Sequence, residues 1–234
     1  MTMMLALALV AALSPPQAAM SAGSDALASA REEFALIAAA HRGLTAYDLQ
    51  VDIRYTNGSS TQAMHASVAC DGAERCLRVF QGSTTLETPD RSLLINSSDR
   101  TITVALHEPV SARTSPAKID PEQTLTSWLD SGGKLSGGEI TPEGRHWIFH
   151  PSKPEIPEAQ MYVNEQTHLL HRLIYESAPA KGTRSQVDIH YTWKDASRLD
   201  PGEFDPSRYI QERGALITPA ENYAEYRVIR ADRR

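Results

Sequence analysis

Apolar and polar side chains alternate along much of this chain, and that period of two predicts β-strands. Residues 47–55 alternate without exception, so one side of this strand is apolar and the other is polar. The pair Asn57-Gly58 follows as a two-residue hairpin turn, because both residue types tolerate positive φ. The turn predicts a register in which Thr56 lies opposite Ser59.

Turn residues separate further alternating segments. A helix is predicted to begin at Ser24 and end at Gly43, because apolar residues recur there at helical spacing. A second helix is predicted from Asp120-Pro121 to the stop at Gly132-Gly133. One partner strand follows the turn at Asn57-Gly58 and another follows the turn at residues 71–75. The remaining predicted strands lie at 93–96, 101–106, 134–141, 145–150, 160–163, 169–176 and 186–193. The pattern therefore predicts one domain of about ten strands and two helices.

An antiparallel sheet with one apolar face must cover that face. Ten strands at ~4.8 Å spacing make a sheet roughly 48 Å wide, and two helices of ~10 Å each cover less than half of it. The predicted fold class is therefore mainly β (α+β), a half-open, curled antiparallel β-barrel with the N-terminal helix and the short second helix as a plug or lid. The side chains predicted to line the interior and bind a ligand are Tyr47, Leu49, Val51, Ile53, Met64, Ile102, Val104, Trp128, Trp147, Phe149, Leu173, Tyr175, Ile189, Tyr191 and Trp193. The alternative is that these side chains fill an ordinary core.

The N-terminal segment has the order of a secretory signal peptide. An apolar run without charged residues is followed by prolines and small residues, and cleavage after Ala18, Ala19 or Ala22 fits the pattern. The predicted organisation is a signal peptide at residues 1–22 and a single domain at residues 23–234. No cysteine lies near the cleavage zone, so the expected product is periplasmic and not lipidated, with no transmembrane span in the mature chain.

The two cysteines are expected to pair, because an exported chain folds in an oxidising compartment. A Cys70–Cys76 disulfide predicts a register with Val68 opposite Arg78 and Ala66 opposite Phe80. A tight turn at residues 71–72 would instead send Cys76 to the other face of the sheet. The two registers are alternatives at this stage.

The net charge of −6 argues against a nucleic-acid partner, which requires a basic surface. No metal site is predicted, because His168 and His171 would lie on opposite faces of a strand. No G-x-S-x-G nucleophile elbow is present, so no catalytic residues, no enzyme activity and no cofactor are predicted. The C-terminal arginines, at positions 227, 230, 233 and 234, are predicted to form a solvated end.

The order of these segments resembles the periplasmic outer-membrane lipoprotein carriers, the LolA-like superfamily. The resemblance rests on residues 87–96 and 100–104, on 144–151, on 161–163 with 174–175, and on Tyr191 and 204–206. It spans roughly residues 26–210. It implies a half-open β-barrel with helices as a lid and an interior that shields acyl chains in transit. The family's strand ending in Arg-Pro has no counterpart in residues 75–88.

These expectations lead to two functions. The first is a periplasmic binding or carrier protein for a lipid or for the acyl chains of a lipoprotein, held in the apolar half-barrel. The alternative is a non-enzymatic envelope interaction or sensor module of the same fold, with a filled core and a protein partner.

Overall fold

The computed structural model describes residues 24–72, 74–107, 121–152, 158–180, 183–214 and 216–231. The predicted signal peptide at 1–22, the predicted cap at Asp120, and Arg233 and Arg234 lie outside these residues. Two α-helices are found within them, α1 (Ser24–Gly43) and α2 (Pro121–Asp130). The strands are β1 (Ala46–Asn57), β2 (Ser60–Asp71), β3 (Cys76–Phe80), β4 (Ser83–Glu87), β5 (Arg91–Asn96), β6 (Thr101–Leu106), β7 (Lys134–Thr141), β8 (Gly144–His150), β9 (Glu158–Val163), β10 (Leu170–Ala180), β11 (Thr183–Lys194), β12 (Ile210–Arg213), β13 (Leu216–Pro219) and β14 (Arg227–Arg230).

Twelve strands form one hydrogen-bonded sheet in the order β14-β6-β5-β4-β3-β2-β1-β11-β10-β9-β8-β7, and β12 pairs with β13 separately. This order has two ends, so hydrogen bonding does not close the sheet. Neighbouring strands with a defined register pair antiparallel except for β14, which pairs parallel to β6. The predicted fold class, mainly β with an unclosed sheet and two helices, is confirmed.

The first hairpin forms with a shifted register. Its turn residues are Gly58 and Ser59, one position later than predicted, and φ is +59° at Gly58. The hydroxyls of Thr56 and Thr61 lie 3.4 Å apart. These residues are therefore opposite each other, two residues away from the predicted partner Ser59. A Gly-X turn needs positive φ only at its first position, so the glycine takes that position. The shift is even, so the same side chains remain on the same face.

The second hairpin has the register that the disulfide predicted. Cys70 lies opposite Cys76, Val68 opposite Arg78, and Ala66 opposite Phe80. The Cys70–Cys76 disulfide is present. The alternative register with a tight turn at residues 71–72 is excluded.

The prediction of about ten strands was too low, since the described residues contain fourteen. Strand β4 and the C-terminal strands β12 to β14 were missed, and each has only four or five residues. Arg227 and Arg230 were expected in a solvated end. Instead they belong to β14, whose backbone pairs with β6, although both side chains are exposed. In none of these four segments do apolar side chains alternate with polar ones, so the pattern that predicts a strand is absent.

The chain divides into two compact units. Of the described residues, unit 1 holds those within 24–43, 54–63 and 121–190, and unit 2 holds those within 44–53, 64–107 and 191–231. Each unit has its own buried core. In unit 1 the core joins α1 to strands β8 and β9. In unit 2 it joins strands β4 to β6 to residues of the C-terminal segment, among them Phe204, Tyr209 and Ile210.

A polar face of unit 1 is organised around a buried ion pair. Arg172 on β10 donates two hydrogen bonds, each 2.8 Å long, to the two carboxylate oxygens of Asp188 on β11. Asp188 is 8% exposed. Burial raises the pKa of this carboxyl, but the hydrogen bonds and charge of Arg172 outweigh burial, so the pKa lies below the ordinary value of 3.8.

Candidate functional site

The sheet residues predicted to line a cavity in unit 1 pack under helix α1. Phe34 of α1 is 2% exposed and makes edge-to-face contacts with Trp147 and Phe149 at centroid distances of 6.1 and 5.8 Å. Trp128 of α2 contacts Phe149 in the same manner at 5.8 Å. The predicted site residues Leu173 and Tyr175 pack partly buried against this cluster, and Ile189 is buried in the same unit.

A β-bulge in strand β7 makes room for Trp147. The register of β7 against β8 shifts between Gly137 and Glu139, and Gly138 between them has φ of +91°. A Cβ atom at Gly138 would lie 2.9 Å from the indole of Trp147. Because glycine has no Cβ, it allows both the positive φ of the bulge and the close approach of the indole ring.

The predicted site residues Ile102 and Val104 belong to the core of unit 2. They are 0% and 2% exposed, respectively. Val104 lies opposite Leu93, and Leu93 lies opposite Leu86. We call the side of the sheet that carries these residues the covered side, since Phe204 and Ile210 pack on it.

The other predicted residues of unit 2 lie on the opposite side. Leu77 and Ala69 continue the row of covered-side residues from β4 onto β3 and β2. Neighbours along a strand point to opposite faces, so Cys70 points away from the covered side. The even-numbered residues of β2, including Met64, share that direction. We call this the stripe side.

An apolar stripe runs along the stripe side, and its seven residues are all partly exposed: Tyr47, Leu49, Val51, Ile53, Met64, Tyr191 and Trp193. A hydrogen bond of 2.8 Å joins Asp52 to His65, so the neighbouring Ile53 and Met64 are opposite each other on the other face. The rings of Tyr47 and Trp193 meet edge to face at 6.0 Å. The structure therefore brings seven of the fifteen predicted residues together on one partly exposed apolar face.

The sequence prediction missed three residues of this face. Phe80 lies opposite Ala66 and is 37% exposed, and Leu94 lies opposite Thr85 and is 45% exposed. Arg78 shares this side, because it lies opposite both Val68 and Thr85. The disulfide register already placed Phe80 and Arg78 on this side, so that register was the available signal. Strand β4 was not recognised, and therefore Leu94 could not be placed.

One ion pair lies on the stripe side. Nη1 of Arg78 is 2.8 Å from Oε1 of Glu87, and each side chain is 36% exposed. Burial raises the pKa of the nearby Tyr47 phenol, while the charge of Arg78 lowers this pKa and that of Glu87 raises it. Tyr47 therefore lies close to both charges, at one end of the apolar stripe.

A cleft in unit 2 is lined mainly by polar and charged residues. The cleft has a volume of about 750 Å³ and lies between the turn at residues 88–91 and residues 204–213. Arg91 donates to Glu212 at 2.5 Å in this cleft, and the guanidinium of Arg75 lies 5.6 Å from the centroid of the Phe204 ring. None of the predicted site residues lines it.

Within the described residues, no group of three or more His, Cys, Asp or Glu side chains is arranged to hold a metal ion. Neither helix of that part of the chain has both the length and the apolar character needed to cross a membrane.

Comparison with known proteins gives matches only among solved structures. No protein-family model matches the chain, and no curated protein sequence matches it. A conserved protein from Thermus thermophilus is 13% identical, with 87% of this chain and 99% of that chain covered and a TM-score of 0.43. The MucA/MucB complex of Pseudomonas aeruginosa matches at 15% identity, with 82% of this chain covered and a TM-score of 0.43. This match spans 63% of the other chain, less than two thirds of its length.

The family that the sequence resembles also occurs among the matching structures. A LolA superfamily protein from Nitrosomonas europaea is 10% identical, with 75% of this chain and 97% of that chain covered and a TM-score of 0.28. At these identities and TM-scores the matches carry no argument about ligand or partner. The chain is thus similar in structure to LolA-like and MucB proteins, and its own residues must carry the functional argument.

Proposed function

We propose that this protein is a non-enzymatic, periplasmic binding protein that holds a lipid, or the acyl chains of a lipoprotein, on the apolar stripe. The observation that carries this proposal is the partial exposure of seven apolar side chains on one face of unit 2. Phe80 and Leu94 extend that face with exposures of 37% and 45%. A contiguous exposed apolar surface of this kind is typical of a binding site.

The physical benefit of such binding is large for an acyl chain. Burial contributes about 0.8 kcal/mol per methylene, so shielding one 14-carbon chain from water is worth about 11 kcal/mol. The stripe offers two aromatic rings in contact, Tyr47 and Trp193, and a flexible Met64 opposite Ile53. Methionine adapts to apolar groups of varied shape, which suits a lipid ligand.

The experiment is to measure binding of cis-parinaric acid, a fluorescent fatty acid, to the purified protein and to a Val51→Asp variant. We expect the variant to bind at least tenfold more weakly, because an aspartate in the stripe must be desolvated when the acyl chain covers it. The matched control is Leu36→Asp, at a position on α1 that is 47% exposed and outside the stripe. Equal binding by both variants, or no binding by the unmodified protein, would contradict the proposal.

The polar cleft favours a second candidate function, that of an envelope interaction module with a protein partner. Its wall combines the buried Phe204 with charged side chains such as Arg91 and Glu212. Charged and polar side chains around a cleft are typical of the rim of a protein interface. A stable protein partner whose binding is lost in Glu212→Arg, with no copurified lipid, would favour this candidate over the first.

A further inference from the structure

The ion pair on the stripe side bears on the headgroup of the ligand. Arg78 and Glu87 lie on neighbouring strands, β3 and β4, and their contact of 2.8 Å places opposite charges side by side. Tyr47, the terminal residue of the stripe on β1, lies close enough to both for their charges to act on its phenol. A polar group at this position would therefore sit beside the Tyr47 end of the stripe.

Both charged groups can accept further partners. Each side chain remains 36% exposed, so neither is sealed within the protein. A guanidinium has five N–H donors and a carboxylate has about four lone-pair sites. The contact between Nη1 and Oε1 uses only part of this capacity, and therefore a ligand can engage both groups without breaking the pair.

The pair selects among headgroups by charge. A purely anionic headgroup at Arg78 would also lie near the carboxylate of Glu87, which repels it. A headgroup with an anionic and a cationic group matches both side chains, because each of its charges then faces the opposite charge. Charge complementarity therefore favours a zwitterionic ligand over an anionic or an uncharged one.

We propose that the apolar stripe takes a single phospholipid molecule whose headgroup carries a phosphate, held by Arg78, and a primary ammonium group, held by Glu87. This inference rests on the proposed function, and it names the class of lipid for the same site. The acyl chains would lie along the stripe, with the headgroup beyond Tyr47.

The test is displacement of bound cis-parinaric acid by three monomeric lipids that share two hexanoyl chains: a phosphatidylethanolamine, a phosphatidylglycerol and a diacylglycerol. We expect the phosphatidylethanolamine to compete about fivefold better than the phosphatidylglycerol, the scale of one partly exposed ion pair. Glu87→Gln should abolish this preference. Arg78→Gln should weaken both phosphate lipids and leave diacylglycerol unchanged. The matched control is Arg100→Gln, which removes the exposed ion pair with Glu225 elsewhere in unit 2 and should leave all three values unchanged.

The outcomes separate this inference from the proposed function. The headgroup assignment would be overturned if the three lipids displaced cis-parinaric acid at concentrations within twofold of each other. It would also be overturned if Glu87→Gln kept the preference for phosphatidylethanolamine. The acyl-binding function would stand in both cases. Failure of every lipid to compete would overturn the headgroup assignment, and equal binding of cis-parinaric acid by Val51→Asp and Leu36→Asp would overturn both. Sedimentation of the protein with phosphatidylethanolamine vesicles, without transfer of lipid into the soluble fraction, would show docking on a membrane surface and would also overturn the single-lipid proposal. Circular dichroism of each variant verifies folding.

Discussion

Replacement of Phe34 by alanine tests whether helix α1 is held on the sheet by the aromatic cluster. Phe34 is 2% exposed, and its ring contacts Trp147 and Phe149 edge to face at 6.1 and 5.8 Å. The substitution removes the ring from the centre of the unit 1 core. It leaves a cavity, because the neighbouring side chains belong to strands that cannot follow the missing ring.

The expected cost follows from the size of the ring and its burial. Truncation of a buried phenylalanine to alanine costs about 3–5 kcal/mol, which includes the lost edge-to-face contacts. Alanine has a higher helix propensity than phenylalanine, and this difference offsets about 0.5 kcal/mol of the loss within α1. We therefore expect the free energy of unfolding to fall by about 3–4 kcal/mol.

Urea unfolding followed by tryptophan fluorescence measures this change. The protein has three tryptophans, of which Trp128 and Trp147 lie in unit 1. A Trp193→Phe background removes the third, so the signal reports on the cluster alone. Leu36→Ala is the matched control on the same helix, since Leu36 is 47% exposed. The control should change the free energy of unfolding by about 0.5 kcal/mol or less.

A loss below about 1 kcal/mol for Phe34→Ala, or a loss equal to that of Leu36→Ala, would mean that Phe34 is not buried in solution. Helix α1 would then not cover strands β8 and β9, and the description of the unit 1 core would be refuted.

Three further predictions concern stability. Loss of the Cys70–Cys76 disulfide, in the double serine variant, should lower the free energy of unfolding by about 2 kcal/mol, the chain-entropy value for a short loop; an unchanged melting temperature would contradict this. The pKa of Asp188 in the folded state lies below its ordinary value of 3.8. The stability supplied by its pair with Arg172 is therefore present above pH 3.8 and is lost as the pH falls through the folded pKa. Asp188→Asn should reduce this acid dependence when the free energy of unfolding is measured from about pH 5 to 2. Gly138→Ala should destabilise the protein by more than about 1 kcal/mol in urea, because alanine is strained at φ of +91° and its Cβ would meet an indole ring at 2.9 Å; a neutral result would refute the bulge geometry.

Alternation predicted the long strands because it reports directly on local geometry. Each residue of a strand points to the face opposite its neighbour, so β1 and β8 were recognisable from their own residues. The first turn was misplaced by one residue, since Asn57 and Gly58 both tolerate positive φ and the sequence does not decide which begins the turn. The disulfide fixed the next register, because a covalent bond demands that Cys70 and Cys76 be opposite.

The side of the sheet that becomes covered could not be predicted from alternation. Ile102 and Val104 alternate as regularly as the residues of the stripe, yet they point to the covered side. What covers them is a distant segment with Phe204 and Ile210, built from short 3-10 turns and four-residue strands. A contact between residues so far apart in sequence leaves no periodic signal in either segment.

The stripe differs from both cores in a manner that supports a binding role. Strand β1 places Asp52 and Arg54 on its other face, where both are exposed to water, so the stripe is the apolar face that this strand offers. Residues required for stability are buried, as Leu86 and Leu93 are at 0% exposure. The stripe residues remain partly exposed, and therefore part of the apolar area they carry contributes nothing to folding. Exposed apolar surface of this kind lowers solubility unless a ligand covers it. When an acyl chain covers the stripe, the hydrophobic free energy of burying that area contributes to binding rather than to folding.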